Sequence, residues 1–223
     1  EDLNESARRV MVVLHPIRLV ITNYPEGKTE TFEVENNPNR PQDGSRTILF
    51  SRELFIERDD FMETPAKGYF RFFPGNEVRL KSTYIVRCTG CKKDADGNVT
   101  EVYATYDPQS RGGNAADGRK VRGTVHWVDA QTAVDAQVRL YESLFTVPDP
   151  DVGDKNFLDY VNPQSLTTLD HCKAERSVLE AAPLESFQFM RLGYFCLDSK
   201  DTTPQKPVFN RSVSLKDGFK GRK

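Results

Sequence analysis

From Glu77 to Tyr106 the chain reads EVRLKSTYIVR, CTGCKK, DADGN, VTEVYATY. Glu77–Arg87 and Val99–Tyr106 are rich in β-branched and aromatic residues, and Asp94-Ala-Asp-Gly-Asn98 between them is turn chemistry. Two such runs around an Asp/Gly-containing turn predict a β-hairpin. The same reading extends outward in both directions. Val10–Leu14 and Arg18–Tyr24 flank a break at His15-Pro16, and Thr47–Ile56 follows a polar loop over Asn36–Gly44. Tyr69–Phe73, Lys120–Val128, Ala136–Tyr141, Phe187–Leu197 and Val208–Leu215 are further strand-like segments. Tyr24-Pro-Glu-Gly27 and Pro74-Gly-Asn76 punctuate them as turns. Helical candidates are few and short: Asp129–Ala133, Asp154–Val161 and Ala174–Ala181.

Many short strands joined by hairpin turns predict an all-β protein, two consecutive small β-barrels with short helical connections. The 223 residues suffice for two domains of about 100 each. A hydrophobic fraction of 37% and a mean hydropathy of −0.60 are lean for one thick core and suit two small ones. The polar, glycine-rich loop Pro108–Asp117 is the expected boundary, with a first barrel over 1–117 and a second over 118–207. Residues 208–223 are expected to return one strand to the barrels and end in a mobile basic tail.

Net charge is only −2, but its distribution is uneven. Residues 67–93 carry a net +6 and residues 206–223 a net +5, which leaves the remainder acidic. Such segregation fits one face for a polyanion, and it equally fits an ordinary solvated surface. No run approaches the ~18 apolar residues of a membrane span. Four unevenly spaced cysteines form no secreted disulfide framework, so a cytoplasmic origin is expected. The chain starts at Glu1, which reads as a fragment of something longer.

Enzymatic signatures are missing. Cys88-Thr-Gly-Cys91 has no second paired motif to complete a zinc site, and Asp94–Asn98 lacks the distal glutamate of a calcium loop. Gly113–Gly118 has its lysine out of place for a phosphate loop. Three histidines and dispersed serines give no nucleophile–base spacing, and Glu57, Asp59 and Asp60 fall in a polar run that reads as exposed. What stands out is Arg, Lys and Gln mixed with aromatics on strands: Tyr69-Phe-Arg-Phe-Phe73, Arg79-Leu-Lys81, and Gln188 and Arg191 within SFQFMRLGYFCLDS at 186–199. Single-stranded RNA is read by such surfaces, through stacking on rings and bonds to exposed base edges. A protein- or ligand-binding barrel and an enzyme remain open on these grounds. Gln188 and Arg191 raise a geometric question, because residues three apart face opposite sides of a regular strand. A bulge or twist near Met190–Gly193 is needed to bring them together.

Longer motifs add a resemblance. VMVVLHPIRLVI (10–21), FSRELFIERDDF (50–61), PGNEVRL (74–80), DGRKVRGTVHWV (117–128), Arg139-Leu-Tyr141, PVFNR (207–211) and 186–199 together resemble the anticodon-binding region of glutaminyl-tRNA synthetase. The resemblance covers nearly the whole chain. It implies two β-barrels that follow a class I catalytic domain, grip the anticodon loop and splay its bases into separate pockets. It implies that Arg9, Gln188 and Arg191 read the middle uridine, Arg71 the third base and Arg79 the first, with Lys81 in place of another basic residue. Gly68 and Phe70 depart from members with Gln and Lys beside the third base, and Met190 replaces a frequent glutamate. The implied partner is the glutamine tRNA, read by a monomer with no membrane or DNA partner. HIGH and KMSKS, the catalytic signatures, are absent from these residues, so no cofactor is expected here. ATP with Mg is expected in a catalytic portion elsewhere, and this piece alone should not aminoacylate. The rivals are a glutamyl-tRNA synthetase of archaeal or eukaryotic kind, which needs a cytosine-reading third pocket, and a barrel that binds only proteins.

Overall fold

The computed structural model describes residues 2–152 and 156–215. Sixteen strands follow a short helix, α1 (Asp2–Ser6). They are β1 (Arg8–Val10), β2 (Val12–Val13), β3 (Pro16–Ile21), β4 (Glu30–Glu35), β5 (Ser45–Phe50), β6 (Glu53–Glu57), β7 (Glu77–Leu80) and β8 (Ile85–Lys93). After them come β9 (Val99–Tyr106), β10 (Gly123–Val125), β11 (Val128–Asp129), β12 (Val134–Tyr141), β13 (Leu166–Ala174), β14 (Ser186–Phe189), β15 (Gly193–Leu197) and β16 (Val208–Ser214).

The strands form two barrel-like sheets and one ribbon, so the protein is all-β. One sheet has the order β10-β7-β8-β9-β3-β6-β11, the other β1-β14-β15-β16-β12-β13-β2, and β4 pairs β5. In each sheet the two outermost strands are neighbours in the chain. β10 and β11 are separated only by His126-Trp127, and β1 and β2 only by Met11. A step of two or three residues spans at most about 7–11 Å. The two edges of each seven-stranded sheet are therefore tethered at one end and the sheet curls, one nearly closed and the other a half-barrel.

Alternation decides which side chains go in. On β3, Ile17, Leu19 and Ile21 are buried and Arg18 is exposed. On β14, Phe187 and Phe189 are fully buried, which turns Gln188 to the other face. The first core is built round edge-to-face contacts among Tyr24, Phe50, Tyr84, Tyr106 and Trp127. The second holds Phe189 stacked on Phe195, with Phe209 edge-on. Such pairs add about 0.5–1.5 kcal/mol each beyond area burial.

Several expectations need correction. The sheets do not part at residue 117, since β10 and β11 lie beyond it and form the edges of the first sheet. Conversely β1 and β2, from the N-terminal end, form the edges of the second with β16 inside it. Glu77–Arg87 is two strands, folded at Lys81–Tyr84 with Ser82 at φ 66°. Tyr69–Phe73 is no strand beyond a single bridge from Phe72 to Phe61. Asp129–Ala133 is a turn capped by the Asp129 carboxylate, which accepts from the Gln131 and Thr132 amides. The other two helical candidates contain only 3-10 turns, at Phe157–Tyr160 and Arg176–Glu180. Residues 154–155 and the basic tail over 216–223 lie outside the described residues. Among the described residues no helix is long and apolar enough to cross a membrane.

Gly123 opens β10 where the loop carrying Phe70 presses on it: a Cβ there would meet the Phe70 carbonyl oxygen at 2.1 Å. A backbone oxygen cannot swing aside as a side chain does. Gly123→Ala is expected to lose about 1–3 kcal/mol, the usual cost of overpacking, read as a lower midpoint in urea unfolding.

Candidate nucleic-acid interface

Gln188 and Arg191 meet through a turn instead of a bulge. The segment 187–197 is a hairpin, β14 pairing β15 with Phe189 opposite Gly193. The Leu192 amide donates to the Phe189 carbonyl at 2.9 Å, and Arg191 sits at φ 70°. A positive φ at the third turn residue belongs to a type II turn, where glycine or asparagine is usual. Arginine there costs backbone energy of order 1 kcal/mol, so tertiary contacts must hold it. The first contact is Asp60, wholly buried just after β6. Its two oxygens accept from Arg191 Nη1 and Nη2, each at 2.7 Å. Arg71 Nη1 donates to the same carboxylate at 2.9 Å. Burial works against the Arg191 charge, but the hydrogen bonds and charge of Asp60 outweigh it and raise the guanidinium's pKa.

The second contact is His126, which is 1% exposed and whose Nδ1 lies 3.2 Å from Arg191 Nη1. On its far side, Glu57 accepts from the Leu14 and His15 amides at 2.6 and 3.0 Å. Glu57 and Asp60 are thus buried, against the expectation of an exposed run; only Asp59 is exposed.

Between the two sheets this arrangement leaves a hollow of about 380 Å³, lined by Arg9, Lys81, Thr124, His126, Gln188, Met190 and Arg191. Arg9 stands directly across from Gln188 in the parallel β1–β14 pairing. Four of the six residues singled out by sequence therefore share one cavity. Several of its polar groups are uncommitted. Arg9 Nε is buried without a partner, and among the described residues the Gln188 carboxamide and the Lys81 ammonium make no hydrogen bond. Buried donors rarely stay unpaired without a reason.

The other two residues stand beside the hollow and do not line it. Arg79 donates Nε to the Gly113 carbonyl and Nη1 to Thr124 Oγ1 at 3.4 Å, a lining residue. Arg71 donates to Asp60 Oδ1, the oxygen that also accepts from Arg191 Nη2, and lies over the Tyr69 ring at 4.9 Å. Phe70 is 47% exposed with the Arg122 guanidinium 5.1 Å above its ring. Among the described residues no three His, Cys, Asp or Glu side chains are grouped to hold a metal. Glu57 and Asp60 escaped sequence reasoning because they sit in the polar run 57–60 and are buried only by tertiary packing, and His126 because a lone histidine between Val125 and Trp127 shows no partner in the sequence.

Two family models carry the description "tRNA synthetases class I (E and Q), anti-codon binding domain", one matching residues 7–107 and the other 124–198. The chain belongs to this family. The hollow is thus a feature of a class I (E and Q) anticodon-binding region, and it lies where the two matched segments meet. Among curated relatives, the glutamine–tRNA ligase of Clostridium kluyveri is 53% identical over 99% of this chain and 40% of its own length. That of Bradyrhizobium diazoefficiens is 52% identical over 98% of this chain and 39% of its own length. That of Cupriavidus taiwanensis is 52% identical over 98% and 37%. The chain spans about two-fifths of the length of these relatives.

Proposed function

We propose that this chain is the tRNA-reading part of a cytoplasmic glutamine–tRNA ligase, and that the hollow between its sheets takes the middle base of the anticodon. The observation that carries the reading is the convergence of Arg9, Lys81, Gln188 and Arg191 on one cavity with donors left unpaired. Arginine can only donate, whereas a carboxamide both donates and accepts. A flipped-out uracil offers carbonyl acceptors on either side of one N–H donor. Guanidinium donors and one carboxamide oxygen match that pattern, while cytosine presents an amino donor where arginine needs an acceptor. By the same reading Arg71 meets the third base and Arg79 the first. ATP and Mg belong to the catalytic portion of the ligase, outside this chain, which charges the tRNA with glutamine.

Titrating a labelled glutamine anticodon stem-loop, and one with its middle base changed, tests this. Gln188→Ala and Arg191→Ala should each weaken the cognate loop about 5–100-fold, the value of one good base contact, and weaken the altered loop far less. Equal losses on both loops would show that these side chains only attract charge. Raising salt should weaken binding with a log–log slope of about −0.7 per phosphate neutralised; a flat, weak response would favour a protein-binding module. A loop carrying a cytosine third base should bind less well, and the reverse preference would favour the glutamyl enzyme.

A further inference from the structure

We infer that His126 is a positioning residue for Arg191, acting as a neutral acceptor that fixes which way the guanidinium points into the hollow. The inference rests on the base-reading role proposed above and adds a residue to it. The argument begins with protons. Arg191 Nη1 lies 3.2 Å from His126 Nδ1, and a guanidinium has no lone pair to offer. Nδ1 must therefore be bare, and the ring hydrogen sits on Nε2. Nε2 is buried without a hydrogen bond and faces Glu57 Oε1 at 3.5 Å. Glu57 is itself pinned by the Leu14 and His15 amides, so a fixed carboxylate favours the Nε2–H tautomer from behind.

Arg191 has reason to need this. Its backbone occupies a conformation that favours glycine, and its side chain is one-third exposed, so neither turn nor packing dictates one orientation. Asp60 grips it through two oxygens but shares one of them with Arg71. His126 supplies the contact on a different element, the two-residue link that closes the first sheet. An N–H at Nδ1 would set donor against donor and turn attraction into repulsion at that spot. The other charged groups around the ring are Glu57 behind it and Asp60 beside Arg191. Tyr69 and Arg71 lie beyond Asp60, and Arg9 and Lys81 across the hollow. Loss of the Nδ1 acceptor should erode the choice between bases and leave non-specific attraction unchanged.

The test measures binding of the cognate and middle-base-altered stem-loops at pH 8 for the unaltered chain, His126→Asn and His126→Phe. Asparagine can place Oδ1 where Nδ1 stands, so His126→Asn should keep the cognate-to-altered ratio. His126→Phe should lower that ratio about tenfold, the loss of one hydrogen bond to a charged group, while the altered loop binds no more weakly. Ring ¹⁵N spectra should show His126 as the Nε2–H tautomer. A phenylalanine variant that keeps the ratio, an asparagine variant that loses it, or an Nδ1–H tautomer would overturn the inference. Failure of the base-reading role itself looks different: the unaltered chain would then bind both loops alike at pH 8.

Discussion

Glu175→Ala should cost about 3–5 kcal/mol of folding stability, the loss expected when one partner of a buried ion pair is removed. Arg46 and Glu175 are 8% and 6% exposed, so neither has water to fall back on. Glu175 Oε2 accepts from Arg46 Nη2 at 3.0 Å and from the Met11 amide at 2.9 Å, and Oε1 accepts from Arg46 Nε and the Ser177 hydroxyl. Three separated pieces of chain meet at this carboxylate: β5 of the ribbon, the Met11 link between β1 and β2, and the turn after β13. Alanine would strand a guanidinium and a main-chain donor together in the interior. Against a usual total of about 5–15 kcal/mol, the variant should unfold at much lower urea with little change in slope. The double variant Arg46→Met with Glu175→Leu should recover much of the loss, because apolar replacements of a buried pair are often neutral. A single-variant loss under about 1 kcal/mol would mean that Arg46 finds another partner.

The second large effect is expected at Asp60, and it should appear in binding before stability. This carboxylate holds Arg71 and Arg191 at once, so a change there disturbs two of the expected base contacts through one atom. Asp60→Asn keeps the volume but puts an amide donor against a guanidinium. Both arginines are about one-third exposed, at 37% and 33%, so solvent screens the charge change. The stability loss should stay near 1–2 kcal/mol. Affinity for the cognate stem-loop should fall about 10–100-fold, with discrimination reduced at both the middle and the third base. The exposed neighbour supplies the control, since Asp59→Asn should bind as the unaltered chain does. A loss confined to one base position would show that the two arginines are held independently.

The strand content was legible because alternation is a local signal: Ile17, Leu19 and Ile21 point inward whatever else the chain does. Turns without the usual residues were not. Met190-Arg-Leu192 has no glycine, proline or asparagine to mark it, so 187–197 read as one strand, and Lys81-Ser-Thr-Tyr84 was hidden in the same way. The pairing of β1 with β14, nearly 180 residues on, leaves no trace in either segment. Of the hollow's cationic and amide residues, Lys81, Gln188 and Arg191 stood out as polar groups mixed with aromatics on strands, and Arg9 came only from the motif resemblance. Their support could not, since a buried Asp60 and an exposed Asp59 are the same letter side by side. What separates them is the Phe72 amide on the Asp60 carbonyl and two arginines arriving from remote loops.

The links at Met11 and His126-Trp127 have a consequence for how such a protein can be rearranged. Each seals a sheet that consists mostly of residues from the other side of the 108–117 loop. Splitting the gene at that loop would give two products with raw β edges, each missing its neighbour's contribution and open to pairing with whatever strand came next. The two halves are matched by separate family models, yet neither is a cassette. Grafting the hollow onto another protein means moving both together.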